Sequence, residues 1–149
     1  MVRRNLEGPT IAPFEREAKK LGFTTYSGMG AANKIQLTGR VGFQFGDLRV
    51  DTKNQWVIIE AESAGGVTNL AKYWYILDNL WDAVGKPIRM FHLFKANSPN
   101  DYMSHLLTWD HLAKHMVDST DGRFVPTRHT YTSTEELESI VDLFKSEIN

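Results

Sequence analysis

VGFQFGDLRVDTKNQWVIIEAES, residues 41–63, reads as two β-strands joined by a tight polar turn, and the rest of the chain is arranged around it. Val41–Asp51 and Gln55–Ser63 are rich in β-branched and aromatic residues, and Thr52-Lys53-Asn54 supplies the break between them. The second strand alternates: Val57, Ile59 and Ala61 point one way, and Ile58, Glu60 and Glu62 the other. With Lys53-Asn54 as a two-residue loop, Thr52 faces Gln55, Val50 faces Val57, and Asp47 lies opposite Glu60, Cβ atoms ~5 Å apart. Asp47, Glu60 and Glu62 then form one acidic cluster. Carboxylates that close repel one another unless a cation joins them, and hard divalent ions such as Mg²⁺ prefer oxygen ligands. A three-residue loop would slip Asp47 onto Ala61 and remove the opposition. The competing reading is an amphipathic strand carrying its acids on a wet face, which implies no cation.

A chain of 149 residues suits a single domain, residues 1–149, with enough length to bury a core. Its 42% hydrophobic and 23% charged content is that of an ordinary globular protein. The net charge of −1 gives no global basic field for nucleic acid, while leaving room for a local basic groove. With no cysteine, disulfides, thiolate zinc sites and thiol nucleophiles are excluded together. No apolar h-region follows MVRRNLEGPT, and no run approaches the ~20 apolar residues of a membrane span, so the expectation is a cytoplasmic protein with no membrane partner.

Outward from the hairpin, Pro13–Leu21 reads as a short helix with Pro13 in its first position and Gly22 at its exit. Phe14, Ala18 and Leu21 share one side, and either Glu15 or Glu17 could lean toward the acidic cluster. Ser27-Gly28-Met29-Gly30 is a loop without the G-x-G-x-x-G layout, which excludes a dinucleotide site. Lys34–Leu37 is a short extended piece, flanked by Lys34 and Arg40, which could touch an anion. Ala64-Gly65-Gly66 is a flexible exit from the hairpin. A helix over Thr68–Val84, capped by Thr68, carries an apolar stripe of Leu70, Tyr73 or Trp74, Leu77, Leu80 or Trp81, and Val84. Lys72 and Asn69 lie near its start, close to the end of the strand bearing Glu60 and Glu62. A strand over Pro87–Phe94 follows, and the length of the connection implies a parallel crossover. After a turn at Ser98-Pro99-Asn100, Asp101–Val117 is a helix with Tyr102, Leu106, Trp109, Leu112 or Ala113, and Met116 inward. Phe124–Tyr131 is an edge strand on account of Pro126. Thr134–Ile148 is a helix capped by Ser133 or Thr134, with Leu137, Ile140 or Val141, and Phe144 inward. The fold class is α/β, a mixed α+β arrangement of a central mixed sheet containing the hairpin and flanked by helices.

These residues resemble the PD-(D/E)XK nuclease superfamily. There an Asp, commonly after Pro, lies on one hairpin strand, and the next strand carries an acid, any residue, then Lys. Here the match is Gly46-Asp47-Leu48-Arg49-Val50, then Val57-Ile58-Ile59-Glu60-Ala61-Glu62. Helix, hairpin, helix and strand in that order also match the family's αβββαβ core, over roughly Pro13–Phe94. Gly46 stands for the Pro and Glu62 for the Lys. In some members the Lys has moved to the following helix, where Lys72 is the candidate, with Asn69 one turn earlier.

The resemblance implies a restriction-endonuclease-like fold and an Mg²⁺- or Mn²⁺-dependent nuclease hydrolysing phosphodiester bonds, with DNA favoured as partner. Asp47, Glu60 and the Ala61 carbonyl would hold the metal. Glu62 would accept the proton of the attacking water or bind a second ion, and Lys72 would offset charge on the phosphoryl oxygens. Asn69 would contact substrate, and Arg49, on the strand face of Asp47, would either touch the nucleic-acid backbone or pair with a nearby acid. So small a chain would need a homodimer or a partner protein to cut both strands at a specific sequence. Two other readings stand beside it. One is a catalytically inactive nuclease-like fold that binds nucleic acid or protein. The other is a plain interaction domain whose acids are incidental. His111 and His115, four apart on a helix, have the spacing of paired zinc ligands, but Leu112 replaces the Glu of HExxH, so metalloprotease chemistry has no support.

Overall fold

The computed structural model describes residues 8–28, 31–39, 41–62, 67–98, 101 and 103–149. The expectations placed on Met29, Gly30, Arg40, Ser63, Ala64-Gly65-Gly66, Pro99, Asn100 and Tyr102 lie outside these residues. The chain runs α1 (Gly8–Lys20), β1 (Thr24–Ser27), a 3₁₀ turn (Ala31–Asn33), β2 (Lys34–Thr38), β3 (Val41–Gln44), β4 (Leu48–Asp51), β5 (Trp56–Glu62), α2 (Val67–Asn79), α3 (Trp81–Val84), β6 (Ile88–Lys95), α4 (Met103–Ser119), β7 (Phe124–Tyr131) and α5 (Thr134–Ile148). The central sheet has the order β1-β4-β5-β6-β7. Its β1-β4-β5 part is antiparallel, and β5, β6 and β7 are parallel, joined by helical crossovers.

The expected mixed sheet covered by helices is present, as is the hairpin register. Leu48 pairs with Ile59, Val50 with Val57 and Asp51 with Trp56, and the Thr52 N–H donates to the Gln55 carbonyl at 3.0 Å. Lys53-Asn54 is therefore the tip. The first strand, however, is not continuous over Val41–Asp51. It breaks between Gln44 and Leu48, so that β3 leaves the sheet to pair with β2 while β4 stays. Gly46 makes the break. Its φ is +68°, and a Cβ there would lie 2.4 Å from Ile58 Cγ2 and 2.8 Å from the Ile59 carbonyl oxygen. Only glycine meets both conditions, and the Pro of the family pattern, held near φ −65°, meets neither.

The remaining differences are local. β1 is not legible in the sequence, because Thr24-Thr25-Tyr26-Ser27 is a polar edge strand without an alternating apolar face. It does precede the glycine-containing loop, but a 3₁₀ turn and β2 follow, not a helix. α1 starts at Gly8, and Pro13 lies inside it, removing one hydrogen bond near the N-terminal end. The predicted Thr68–Val84 helix is two, parted at Leu80, and Thr68 lies inside α2. Gly85, left-handed at φ +73°, closes α3 by donating to Trp81 at 2.8 Å. Ser133 caps α5 by accepting from the Glu136 N–H.

Two apolar layers sandwich the sheet. Val57, Ile59 and Ala61 pack with Phe14, Phe91, Val141 and Phe144 of the α1 and α5 side. Ile58 packs with Tyr73, Leu77, Met90, Trp109 and Met116 of the α2 and α4 side. Glu60 shares the second face and is only 5% exposed, so the strand has no wet side there. Among the described residues no helix is long and apolar enough to cross a membrane.

Candidate functional site

The turn at Gly46 sets Asp47 one residue outside β4. Its N–H donates to the Ile59 carbonyl at 2.9 Å, and its own carbonyl accepts from the Gly28 N–H at 3.0 Å. Its Oδ2 accepts the Ala61 N–H at 2.8 Å. In a strand a residue's N–H and C=O point to the same edge, so the Ala61 carbonyl faces the side on which Asp47 lies.

Glu60 points toward α2. Its Oε2 accepts the Tyr73 hydroxyl at 3.0 Å and lies 3.5 Å from Lys72 Nζ. Burial raises its pKa to about 8, aided by the nearby Asp47 and Glu62, while Lys72 and the Tyr73 hydrogen bond pull it down. The same burial, with Glu60 as neighbour, pushes the Tyr73 hydroxyl well up. Lys72, about a quarter exposed, lies over the faces of Phe43 and Tyr73 at 5.1 and 5.3 Å.

Glu62 is tied at Oε1, where it accepts from Asn69 Nδ2 and lies 3.3 Å from His92 Nε2. Trp109 Nε1 in turn donates to His92 Nδ1 at 2.9 Å. At this end of the hairpin and the start of α2 the sequence-predicted residues are joined in pairs, Asp47 with Ala61, Glu60 with Lys72 and Glu62 with Asn69, and not as the one acidic cluster expected: among the described residues no group of three His, Cys, Asp or Glu is arranged to hold a metal. Asn69 spends its amide on Glu62 rather than on open solvent.

Arg49 does not join them. It is 8% exposed, donates to the Ala32 carbonyl at 3.2 Å, and its guanidinium lies 4.2 Å from the Tyr26 ring, 4.4 Å from Trp56 and 5.5 Å from Phe45. Burial holds its pKa below the usual value. Its guanidinium thus lies in an aromatic box of Tyr26, Phe45 and Trp56, apart from the carboxylates of the site.

The choice between Glu15 and Glu17 is decided by neighbours. Glu15 shares a cavity of about 200 Å³ with Asp47, Ser27 and Gly28. Both are ion-paired, Glu15 with Lys19 at 3.0 Å and Glu17 with Arg16, Lys20 and Lys145, so it is the shared cavity that places Glu15 nearer to Asp47. The rings of His111 and His115 do approach, with centroids 4.6 Å apart, but neighbouring Asp110 is held by Arg128 through two hydrogen bonds at 2.6 and 2.9 Å.

Tyr73, His92 and Trp109 are the site residues that sequence reasoning missed. Tyr73 and Trp109 lie on apolar stripes, whose pattern points to packing alone. His92 alone carried a signal, a polar residue inside the apolar run IRMFHLF. Comparison with known proteins returns no match to any family model, curated protein or solved structure.

Proposed function

We propose that the chain is a metal-dependent nuclease of PD-(D/E)XK type, hydrolysing phosphodiester bonds in DNA. The observation that carries this reading is the approach of Lys72 to Glu60 at 3.5 Å. A lysine on α2 reaches the acid that the missing motif lysine would accompany. The order of elements lends further support: α1, the sheet strands β1, β4 and β5, then α2 and β6 follow the helix, three strands, helix, strand sequence of the family core.

The donors assigned to a hard divalent ion in this reading are Asp47, Glu60 and the Ala61 carbonyl. Asp47 and Glu60 interact electrostatically, and the Ala61 carbonyl faces the Asp47 side. Among the described residues no group of three His, Cys, Asp or Glu is arranged for a metal, so the ligands would be two carboxylates, a main-chain carbonyl and water. An Mg²⁺ or Mn²⁺ ion held there would polarise the phosphate and acidify a bound water. Tyr73 and Lys72 orient Glu60 by engaging its Oε2. Lys72 faces the charge that develops on the non-bridging phosphoryl oxygens. Glu62 takes the proton of the water that attacks phosphorus, and the leaving oxygen departs with a proton from solvent.

One observation favours a second reading, an inactive nuclease-like binding fold: the carboxylates are deeply set and already satisfied by Tyr73, Asn69 and His92. Cleavage of supercoiled plasmid, linear duplex, single-stranded DNA and RNA with Mg²⁺ or Mn²⁺ decides between them. Activity that vanishes in Glu60→Ala, with metal binding lost in Asp47→Ala, upholds the nuclease. Absence of cleavage and of calorimetric Mn²⁺ binding refutes it.

A further inference from the structure

We propose that His92 and Trp109 are positioning residues for Glu62, forming a one-way donor chain that fixes which carboxylate oxygen Glu62 presents. The inference rests on the nuclease reading only for its kinetic consequence. An indole N–H can only donate. Trp109 Nε1 lies 2.9 Å from His92 Nδ1, so Nδ1 bears the lone pair and the ring proton is on Nε2. That proton faces Glu62 Oε1 at 3.3 Å. His92 is fully buried, so no water competes for either nitrogen. Asn69 donates to the same Oε1 from the opposite element, α2.

Two donors on one oxygen prevent the carboxylate from turning. Among the described residues no hydrogen bond engages Oε2, which is left as the oxygen available to chemistry. The three contributors come from β6, α4 and α2, so the orientation of Glu62 depends on the packing of α4 over the sheet. This is the arrangement by which outer partners set the tautomer and aim of an inner group.

The test combines a tautomer measurement with variants. Long-range ¹H–¹⁵N NMR of wild type should give a His92 with Nε2 protonated and Nδ1 bare, and Trp109→Phe should lose that preference. An Nδ1–H tautomer in wild type, or no change in Trp109→Phe, overturns the proposal. In cleavage assays His92→Leu should lower kcat by about 10- to 100-fold with KM for DNA unchanged, and His92→Gln, which keeps an N–H toward Glu62, should recover most of it. Equal losses in both variants, or a loss confined to thermal stability, overturn the proposal. If wild type cleaves nothing while the tautomer behaves as stated, the nuclease reading fails and the positioning of Glu62 stands.

Discussion

Replacing Glu60 by Gln should stabilise the metal-free protein, and by more as the pH rises. The Glu60 carboxyl is raised from 4.5 to about 8, chiefly by burial. Below pH 4.5 folded and unfolded chains both hold the proton, and the group is neutral to stability. Between these values the unfolded chain has ionised and the folded chain has not, so rising pH favours unfolding. The cost is of order 3 kcal/mol at pH 7 and on the order of 5 kcal/mol above pH 8. Gln can still accept from Tyr73 and Lys72 through its amide oxygen, and carries no titrating proton. Urea unfolding with chelator at pH 5, 6, 7 and 8 reads the effect. The two proteins should nearly coincide at pH 5, and at pH 7 the variant midpoint should be higher by about 1.5 M for a slope near 2 kcal/mol/M. Mn²⁺ at about 100 times its dissociation constant should then return about 3 kcal/mol to wild type and nothing to the variant. Parallel pH dependences in the two proteins, or a variant less stable than wild type at pH 8, would refute the reasoning. A destabilising buried acid at the end of a hairpin is also what a functional site retains at the expense of stability.

Other perturbations separate the roles of the remaining residues. Metal binding should displace the Glu60 proton, so titration calorimetry of Mn²⁺ at pH 7 in buffers of different ionisation enthalpy should register release of nearly one proton. Release that is absent, or unchanged in Glu60→Gln, would contradict that assignment. Gly46→Ala should destabilise by at least about 2 kcal/mol, since its Cβ meets Ile58 and the Ile59 carbonyl at positive φ, and should weaken Mn²⁺ binding through the displaced Asp47. Lys72→Met should slow single-turnover cleavage by about 100-fold or more while Mn²⁺ affinity is kept. Arg49→Lys should lower stability by about 1–2 kcal/mol, through loss of planar stacking on Tyr26 and Trp56, and leave kcat unchanged. Weakened DNA binding at unaltered stability would instead return Arg49 to the substrate.

The parts of this protein that are legible in its sequence are those that short-range physics controls. The β-rich runs of residues 41–63 make the hairpin legible, but both faces of β5 are buried, so its register rests on the length of the tip, and the two-residue Lys53-Asn54 loop sets Val50 against Val57. Pro126 keeps β7 at the edge, and Ser133 starts α5. That Lys72 and Asn69 lie beside the acids follows from the strand-to-helix order alone. The tertiary structure decided the rest. The break at Gly46 admits only glycine because Ile58 and the Ile59 carbonyl of the facing strand occupy the place of a Cβ. Glu60 is buried because α2 covers it, which no pattern within β5 reveals. Arg49 has its role from Tyr26, Phe45 and Trp56, and Glu62 has its orientation from His92 and Trp109, residues on other elements. Hydrophobic period and turn chemistry act over a few neighbours. Burial, pKa and the choice of hydrogen-bond partner depend on which distant elements the sheet order brings together.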